Sequence, residues 1–277
     1  MSVDPEIEAK CKEISSNYSA CDVSDALLKL KVPQAGFLPD ILPINHNNPK
    51  PTTIVAPLST VLFVPKPHAT SPSSPPGLAT PVPAESNIPQ TKHWTDLPTP
   101  GTIVLLQQPQ GQICAVCGDI LATRLKVRGV KGIVADGRVR DLVALSELCH
   151  PSSSPTVPTG SSEGRRGEGF TVWSRGTSTV GTGLAAQAWC VDVPLSVSNN
   201  PTTAVAAASS ETTTPPLQVH PGDIIVCDES ERGSVVIPLS KLDEVLKLLP
   251  GLKEADEKCI ADVESGVDVR EAFRRHR

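Results

Sequence analysis

Apolar residues recur along the chain at two spacings, one typical of helices and the other of strands. Helical spacing occurs over 21–30, 120–127 and 140–148, and again from Ser240, which is predicted to cap a helix that ends at Pro250. Continuous apolar runs between turn residues predict strands over 54–64, 101–106, 113–117, 132–135, 170–173 and 188–193, and a β-hairpin over 219–236. Helices that alternate with strands in this way indicate an α/β fold.

The middle of the chain is predicted to form two strand–helix units with very short loops. Strands over 113–117 and 132–135 are each followed directly by a helix. Such crossovers are right-handed and parallel, so both loops emerge at the same edge of the sheet. Because ligands bind at the carboxyl ends of parallel strands, we expect Asp119 to lie close to Arg140 and Asp141.

Proline, serine and threonine are concentrated in three stretches that have neither helical nor strand spacing. They cover about 65–92, 151–168 and 196–216, and the first holds eight of the 28 prolines. Long surface loops cost little closure entropy per added residue, so we interpret all three as loop insertions. About 210 residues remain outside them, which fits a single domain spanning 1–277.

Composition and charge restrict the class of protein. Hydrophobic residues make up 39% of the chain, which argues against an entirely disordered protein. The net charge of −5 argues against nonspecific nucleic-acid binding, which needs clustered cations. No run of about 18 apolar residues occurs, and the first residues lack the pattern of a signal peptide. We therefore expect a cytoplasmic protein with no membrane and no nucleic-acid partner.

Several motifs of common enzyme classes are missing from the sequence. It has no GxSxG elbow, no P-loop and no GxGxxG fingerprint, and its six histidines are scattered. Cys114 and Cys117 form a CxxC within an apolar run, but no second CxxC or close histidine pair completes a zinc site. Buried packing is therefore our interpretation of these two cysteines, and all eight cysteines are expected to be reduced thiols.

The charged residues of the central segment each admit a structural explanation as well as a chemical one. Asp119 could cap its helix, and Asp136 before a glycine is interpreted as a turn residue. Arg128 lies near a helix end, where we expect a structural salt bridge. Arg140 and Asp141 could form an ordinary surface ion pair, but two charges directly after a buried strand favour a functional site.

The segment GDILATRLKVRGVKGIVADGRVRD, residues 118–141, resembles the pattern of the RraA-like family. That family contains 4-hydroxy-4-methyl-2-oxoglutarate aldolase and its oxaloacetate decarboxylase relatives. Shorter supporting matches are VSDAL at 23–27, FTVWSRGTS at 170–178 and VHPGDIIVCD at 219–228. The resemblance implies a swivelling β/β/α domain that assembles into a homotrimer or hexamer, with the long Pro/Ser-rich insertions added to it.

The resemblance also implies a divalent-metal-dependent lyase that cleaves a carbon–carbon bond of a 2-oxo acid. Asp141 would hold Mg²⁺ or Mn²⁺, and Arg140 would contact the substrate and stabilise a pyruvate enolate. Asp119 would transfer protons as a catalytic residue. The backbone amides of Ile120 and Leu121, at a helix N-terminus, are expected to bind the substrate carboxylate.

A further acid is expected from a neighbouring subunit, as the resemblance implies, and the candidates are Glu254 and Glu257 in the charged C-terminal segment. Two alternatives to a lyase of this kind stay open. The protein could be a non-catalytic, protein-binding regulator, although regulators in this family lack the acid that Asp141 supplies here. It could also use a pocket reshaped by the insertions to act on an intermediate of specialised metabolism.

Overall fold

The architecture is a mixed sheet flanked by helices, seen in a computed structural model that describes residues 2–45, 50–66, 80–149, 169–197 and 216–277. Its helices are α1 (Pro5–Asn17), α2 (Ala20–Lys29), α3 (Asp119–Val127), α4 (Leu142–Cys149), α5 (Leu242–Glu264) and α6 (Val269–His276). Its strands are β1 (Leu42–Pro43), β2 (Thr53–Pro65), β3 (Ile103–Gln107), β4 (Gly132–Val139), β5 (Thr171–Thr177), β6 (Ala186–Val191), β7 (Leu195–Val197), β8 (Leu217–Val219), β9 (Ile224–Asp228) and β10 (Gly233–Ile237). The predicted α/β class is confirmed.

Within the described residues, eight strands form one sheet in the order β1-β5-β4-β3-β2-β9-β10, with β6 paired to β2. The pairs β2–β3, β3–β4 and β4–β5 are parallel. The pairs β1–β5, β2–β6, β2–β9 and β9–β10 are antiparallel, and β7 pairs with β8 separately. The carboxyl ends of β3, β4 and β5 therefore lie together at one edge, where parallel sheets bind ligands.

The central strands are apolar on both faces. Side chains alternate between the two faces of a strand, and Ile103 and Leu105 of β3 join one apolar cluster, which also receives α1, α2 and α5. Val104 and Leu106 join a second cluster, which also receives α3 and α4. Burial on both faces explains the continuous apolar runs, which are typical of parallel strands covered by helices.

The predicted strand over 113–117 is wrong. This segment forms only isolated bridges, from Ala115 to Gly181 and from Cys117 to Val139. The Ala115 amide donates to the Val180 carbonyl at 2.7 Å, and the Val116 amide donates to the Arg138 carbonyl of β4 at 2.8 Å. Because successive amides bond to two different segments, no continuous ladder forms. The parallel strand that precedes α3 is therefore β3.

The predicted ends of β4 and α4 also differ from the structure. The strand continues past Asp136 and Gly137 to Val139, with an irregular register between Ala135 and Arg138 that accommodates the expected turn residues. Helix α4 begins after the predicted start, because Asp141 has a left-handed backbone with φ of 62°. Asp136 is therefore a strand residue, and its interpretation as a turn residue is wrong.

Helix α5 does not stop at Pro250. It continues to Glu264, and Ser240 belongs to the short 3-10 turn Leu239–Lys241 before it, so Ser240 is not its cap. Leu249 and Leu252 are buried on either side of the proline, and this packing outweighs the loss of one helical hydrogen bond. The described part of the chain contains no helix that combines the length and apolar character needed to cross a membrane.

The three predicted insertions fall largely outside the described residues. Positions 67–79, 150–168 and 198–215 are not described, so the insertion at 151–168 and most of the one at 196–216 stay predictions. The predicted start at Ser196 is wrong, because β7 continues to Val197. The end of the first insertion is described and is anchored to the sheet. Thr80 is buried, its hydroxyl donates to Gln107 of β3, and it accepts from the Ser196 amide at 2.7 Å.

Candidate functional site

Asp119, Arg140 and Asp141 meet where the chain leaves β4 and where α3 begins. The Arg140 Nε atom lies 3.2 Å from Asp141 Oδ2. The Asp119 backbone nitrogen lies 3.4 Å from the same carboxylate oxygen. The sequence prediction that these three residues lie close together is thus confirmed, although β3 rather than 113–117 supplies the strand before α3.

The backbone around Asp141 places its side chain at this junction. The Arg140 amide donates to the Cys117 carbonyl at 3.0 Å, which holds the end of β4 against the segment before α3. Asp141 then takes its left-handed conformation, and its carbonyl accepts from the Leu145 amide at 3.0 Å to begin α4. A non-glycine residue in this region carries a small conformational cost, and such residues cluster at functional sites.

Two glycines let the chain pass close to these side chains. A Cβ atom added to Gly118 would overlap Asp141 Oδ2 and would lie 3.1 Å from Arg140 Cγ. A Cβ atom added to Gly181 would lie 2.8 Å from Arg140 Nη1. An added Cβ atom at Gly118 would displace the ends of the Asp141 and Arg140 side chains, and one at Gly181 would displace the Arg140 guanidinium, so the two glycines leave the space that these groups occupy.

The first turn of α3 contributes backbone amides. Gly118 occupies the N-cap position, so Asp119 is the first helical residue and does not cap the helix. The Ile120 amide donates to Asp119 Oδ1 at 2.7 Å, so this amide already has a hydrogen-bond partner. The Leu121 amide belongs to the first turn, where N–H groups lack partners within the helix and the helix dipole favours an anion.

Two pockets meet at Arg140. The apolar pocket has a volume of about 630 Å³ and is lined by residues 115, 117–121, 140 and 180–184. The polar pocket has a volume of about 530 Å³ and is lined by Arg140, Asp141, Leu142 and Thr177–Thr179. Arg140 lines both, and 40% of its side chain is exposed. A ligand held by this guanidinium can therefore extend into either pocket.

The CxxC cysteines pack in the interior, as predicted. Cys114 and Cys117 are both buried. Burial raises the pKa of the Cys117 thiol to about 12, and the nearby carboxylates of Asp119 and Asp141 add to this effect. The thiol stays protonated at neutral pH, so Cys117 is not a nucleophile in this pocket. Among the described residues, no group of three histidine, cysteine, aspartate or glutamate side chains could hold a metal ion.

A partly buried ion pair beside the site was missed by sequence reasoning. Arg175 Nε of β5 bonds to Asp136 Oδ1 of β4, and the two side chains are 15% and 13% exposed. Arg175 Nη1 also donates to the Pro39 carbonyl at 2.6 Å. Gln107 Nε2 lies 3.4 Å from the other Asp136 oxygen. A charged residue inside an otherwise apolar strand run was the available signal, but the adjacent glycine favoured a turn.

The sequence also predicted roles for Arg128 and for two glutamates of α5. Arg128 Nη1 donates to the Thr95 carbonyl at 2.8 Å, which is a hydrogen bond to the backbone, and the expected salt bridge of Arg128 stays a prediction. Glu254 and Glu257 are on α5, which packs on α2 and α6 and lines neither pocket. Glu254 pairs with Lys258 at 2.6 Å, and this contact lowers the pKa of its carboxyl. A role toward a neighbouring subunit stays a prediction for both glutamates.

The chain belongs to the RraA-like family, because the family model described as Aldolase/RraA matches residues 20–236. An uncharacterised protein from Pseudomonas syringae pv. tomato str. DC3000 shares the fold, with a TM-score of 0.62 and 21% identity over 98% of each chain. Streptomyces coelicolor RraAS2 is similar, with a TM-score of 0.61 and 21% identity over 92% of this chain and 96% of that chain. It is described as an unusual member of the RNase ES inhibitor RraA protein family.

Proposed function

We propose that the protein is a divalent-metal-dependent lyase that cleaves a carbon–carbon bond of a 2-oxo acid. The reaction would be retro-aldol cleavage, of 4-hydroxy-4-methyl-2-oxoglutarate or a similar compound, or decarboxylation of oxaloacetate. The observation that carries this proposal is the contact of 3.2 Å between Arg140 and Asp141 at the junction of two pockets. A cation and a carboxylate held there can bind an anionic substrate and a metal ion side by side.

The residues present fit a hydrated Mg²⁺ or Mn²⁺ ion. Asp141 lines the polar pocket with 36% of its side chain exposed, so its carboxylate has room for an ion and water. Hard cations of this kind are commonly held through one or two carboxylates and keep several waters, which suits a site without a cluster of three ligand side chains in the described residues. A cation held by Asp141 would polarise the 2-oxo group of the substrate.

Arg140 would bind the substrate and stabilise the negative charge that develops as the bond breaks. Its planar guanidinium can donate two parallel hydrogen bonds to a carboxylate, and it is always charged at neutral pH. Asp141 and Gly181 restrict where this group lies. A donor that is already in place costs no reorganisation during the reaction, which is the basis of electrostatic stabilisation in enzymes.

Asp119 and the first turn of α3 would handle protons and orient the substrate. In retro-aldol cleavage the bond between C3 and C4 breaks, the C4 hydroxyl loses its proton, and C3 of the resulting pyruvate enolate gains one. Asp119 lines the apolar pocket beside Arg140 and would accept the hydroxyl proton through a water molecule. The Leu121 amide, on the same wall, would donate to the substrate carboxylate.

The direct test is pyruvate release by the purified protein with Mg²⁺, with Mn²⁺ and with a chelator. We expect metal-dependent release from a panel of 2-oxo acids that includes 4-hydroxy-4-methyl-2-oxoglutarate and oxaloacetate. Arg140→Ala should lower kcat by about 100-fold or more, because it removes the charge-stabilising donor. Arg270→Ala, an exposed arginine of α6, is the matched control and should be fully active. Folded protein that neither binds Mn²⁺ nor releases pyruvate would support the regulator alternative instead.

Gly118→Ala is expected to reduce the activity strongly while the protein stays as stable as the parent to within about 1 kcal/mol. The added Cβ atom would collide with the ends of the Asp141 and Arg140 side chains, which can move aside but then lose their arrangement. Gly251→Ala on α5 is the control, since a Cβ atom there meets nothing within 4 Å. Thermal unfolding and pyruvate release together check the prediction, and full activity of Gly118→Ala would contradict it.

A further inference from the structure

The apolar pocket exposes large apolar side chains around its rim. Ile120 is 76% exposed, Leu184 is 52% exposed and Val180 is 39% exposed, and all three line this pocket. Covering apolar surface of this kind is favourable, and exposed apolar patches beside a polar anchor are typical of binding sites. The pocket is therefore suited to an apolar group attached to something that Arg140 binds.

The charges of the pocket oppose a second carboxylate on the ligand. In the described lining Arg140 is the cation, and Asp119 is an acid on the same wall. Lys66 donates to the Gly183 carbonyl at 3.1 Å but does not line the pocket. A carboxylate at the far end would lie beside Ile120 and Leu184, with no cation among the described lining residues there, so an apolar group gains more from that position than a charged one does.

The polar pocket on the other side of Arg140 has a larger share of polar lining than the apolar pocket. Asp141 lines it together with Thr177 and Thr179, whose hydroxyl groups suit a polar group and bound water, and with Ser178, whose hydroxyl accepts from the Val180 amide at 3.0 Å. A 2-oxo acid held at Arg140 and Asp141 can therefore place its oxo and carboxylate groups at this junction. The rest of the molecule would then extend along the apolar pocket.

We infer that the substrate is a 4-hydroxy-2-oxo monocarboxylic acid with an apolar substituent at C4. This inference rests on the proposed function and narrows its substrate class, with Ile120, Val180 and Leu184 as the residues that determine specificity. 4-Hydroxy-4-methyl-2-oxoglutarate and oxaloacetate are diacids, so we expect both to be poorer substrates than a monoacid of this class. Cleavage of the bond between C3 and C4 turns the C4 hydroxyl into an aldehyde and releases its proton. The electron pair passes to C3, which takes up a proton and gives pyruvate, so no oxidant or reductant is needed.

A matched pair of substrates tests the inference. 4-Hydroxy-2-oxoheptanoate and 4-hydroxy-2-oxoheptanedioate differ only in a methyl or a carboxylate group at C7, and both would release pyruvate. We expect kcat/KM for the monoacid to exceed that for the diacid by about tenfold or more. Leu184→Arg adds a cation to the pocket and should reverse or abolish this preference. Val127→Arg is the control, because Val127 is an exposed apolar residue of α3 that lines neither pocket.

Binding of compounds that cannot undergo the cleavage separates this inference from the proposed function. 2-Oxohexanoate and 2-oxohexanedioate lack the 4-hydroxyl group, and calorimetric titration with Mn²⁺ present should give at least about tenfold tighter binding of the monoacid. Tighter binding of the monoacid without pyruvate release from any substrate would overturn the proposed function alone. Equal or better binding and cleavage of the diacids would overturn the substrate class alone. If Leu184→Arg keeps the preference for the monoacid but changes the oligomeric state, the exposed apolar side chains of the pocket belong to a subunit interface. That result would also overturn the substrate class.

Discussion

Asp141→Asn is expected to lower pyruvate release by about 1,000-fold and to abolish Mn²⁺ binding, while the protein stays folded. The substitution keeps the size of the side chain but removes the negative charge that would hold the cation. It also removes the charged partner of Arg140, whose Nε atom lies 3.2 Å from Asp141 Oδ2. Asparagine tolerates the left-handed backbone of this position, where φ is 62°, so the turn into α4 should be kept.

Asp40→Asn is the matched control for this prediction. Asp40 is exposed, lines neither pocket and has φ of 61°, so the same substitution is made in the same backbone conformation. We expect unchanged activity and unchanged Mn²⁺ binding, measured by titration with the paramagnetic ion. Equal turnover by Asp141→Asn and the parent would show that the assigned carboxylate takes no part in the reaction.

The sequence predicted the central part of the fold and the candidate site because both follow from short-range pattern. Continuous apolar runs identified β2, β3 and the first half of β4, since strands covered on both faces need no polar alternation. The charges Arg140 and Asp141, directly after a buried strand, marked the sheet edge where ligands bind. The family resemblance was carried by the same segment and is confirmed by the family match.

The wrong predictions share a physical cause. In each case the local sequence allows two conformations, and tertiary contacts stabilise the one that the local pattern does not favour. Residues 113–117 are apolar enough for a strand, but their amides bond to two separate segments. Pro250 would end an isolated helix, yet burial of Leu249 and Leu252 carries α5 past it. Asp136 before Gly137 is typical of a turn, but its partner Arg175 is 39 residues away, so no local pattern could reveal it.

Arg175→Met is expected to lower the free energy of unfolding by about 3 kcal/mol or more, the largest loss of stability predicted here. It would remove the cation from the Asp136 carboxylate, whose side chain is 13% exposed in the intact pair, and a largely desolvated charge without a partner is costly. It would also remove the donor to the Pro39 carbonyl, which ties the segment before β1 to the sheet. Urea denaturation measured at neutral pH checks the value, with the slope compared between variants.

Two further variants show how much stability comes from the ion pair between Asp136 and Arg175. Asp136→Leu combined with Arg175→Met removes both charges, and this double variant should recover much of the stability lost in the single variant. Arg124→Met breaks the ion pair with Asp96, whose side chains are 52% and 31% exposed, and should cost less than about 1 kcal/mol. An Arg175→Met variant as stable as the parent would show that this ion pair does not hold β4 and β5 together.

The same variants test whether the pair supports the site. Asp136 is on β4, which ends at Val139 directly before Arg140, and Arg175 is two residues before Thr177 on β5. The ion pair therefore joins the two strands that lead to the residues lining the polar pocket. The double variant should therefore regain stability but not full activity, because leucine and methionine pack without fixing the relative positions of the strand ends. Full activity in a restabilised double variant would limit the pair to a structural role.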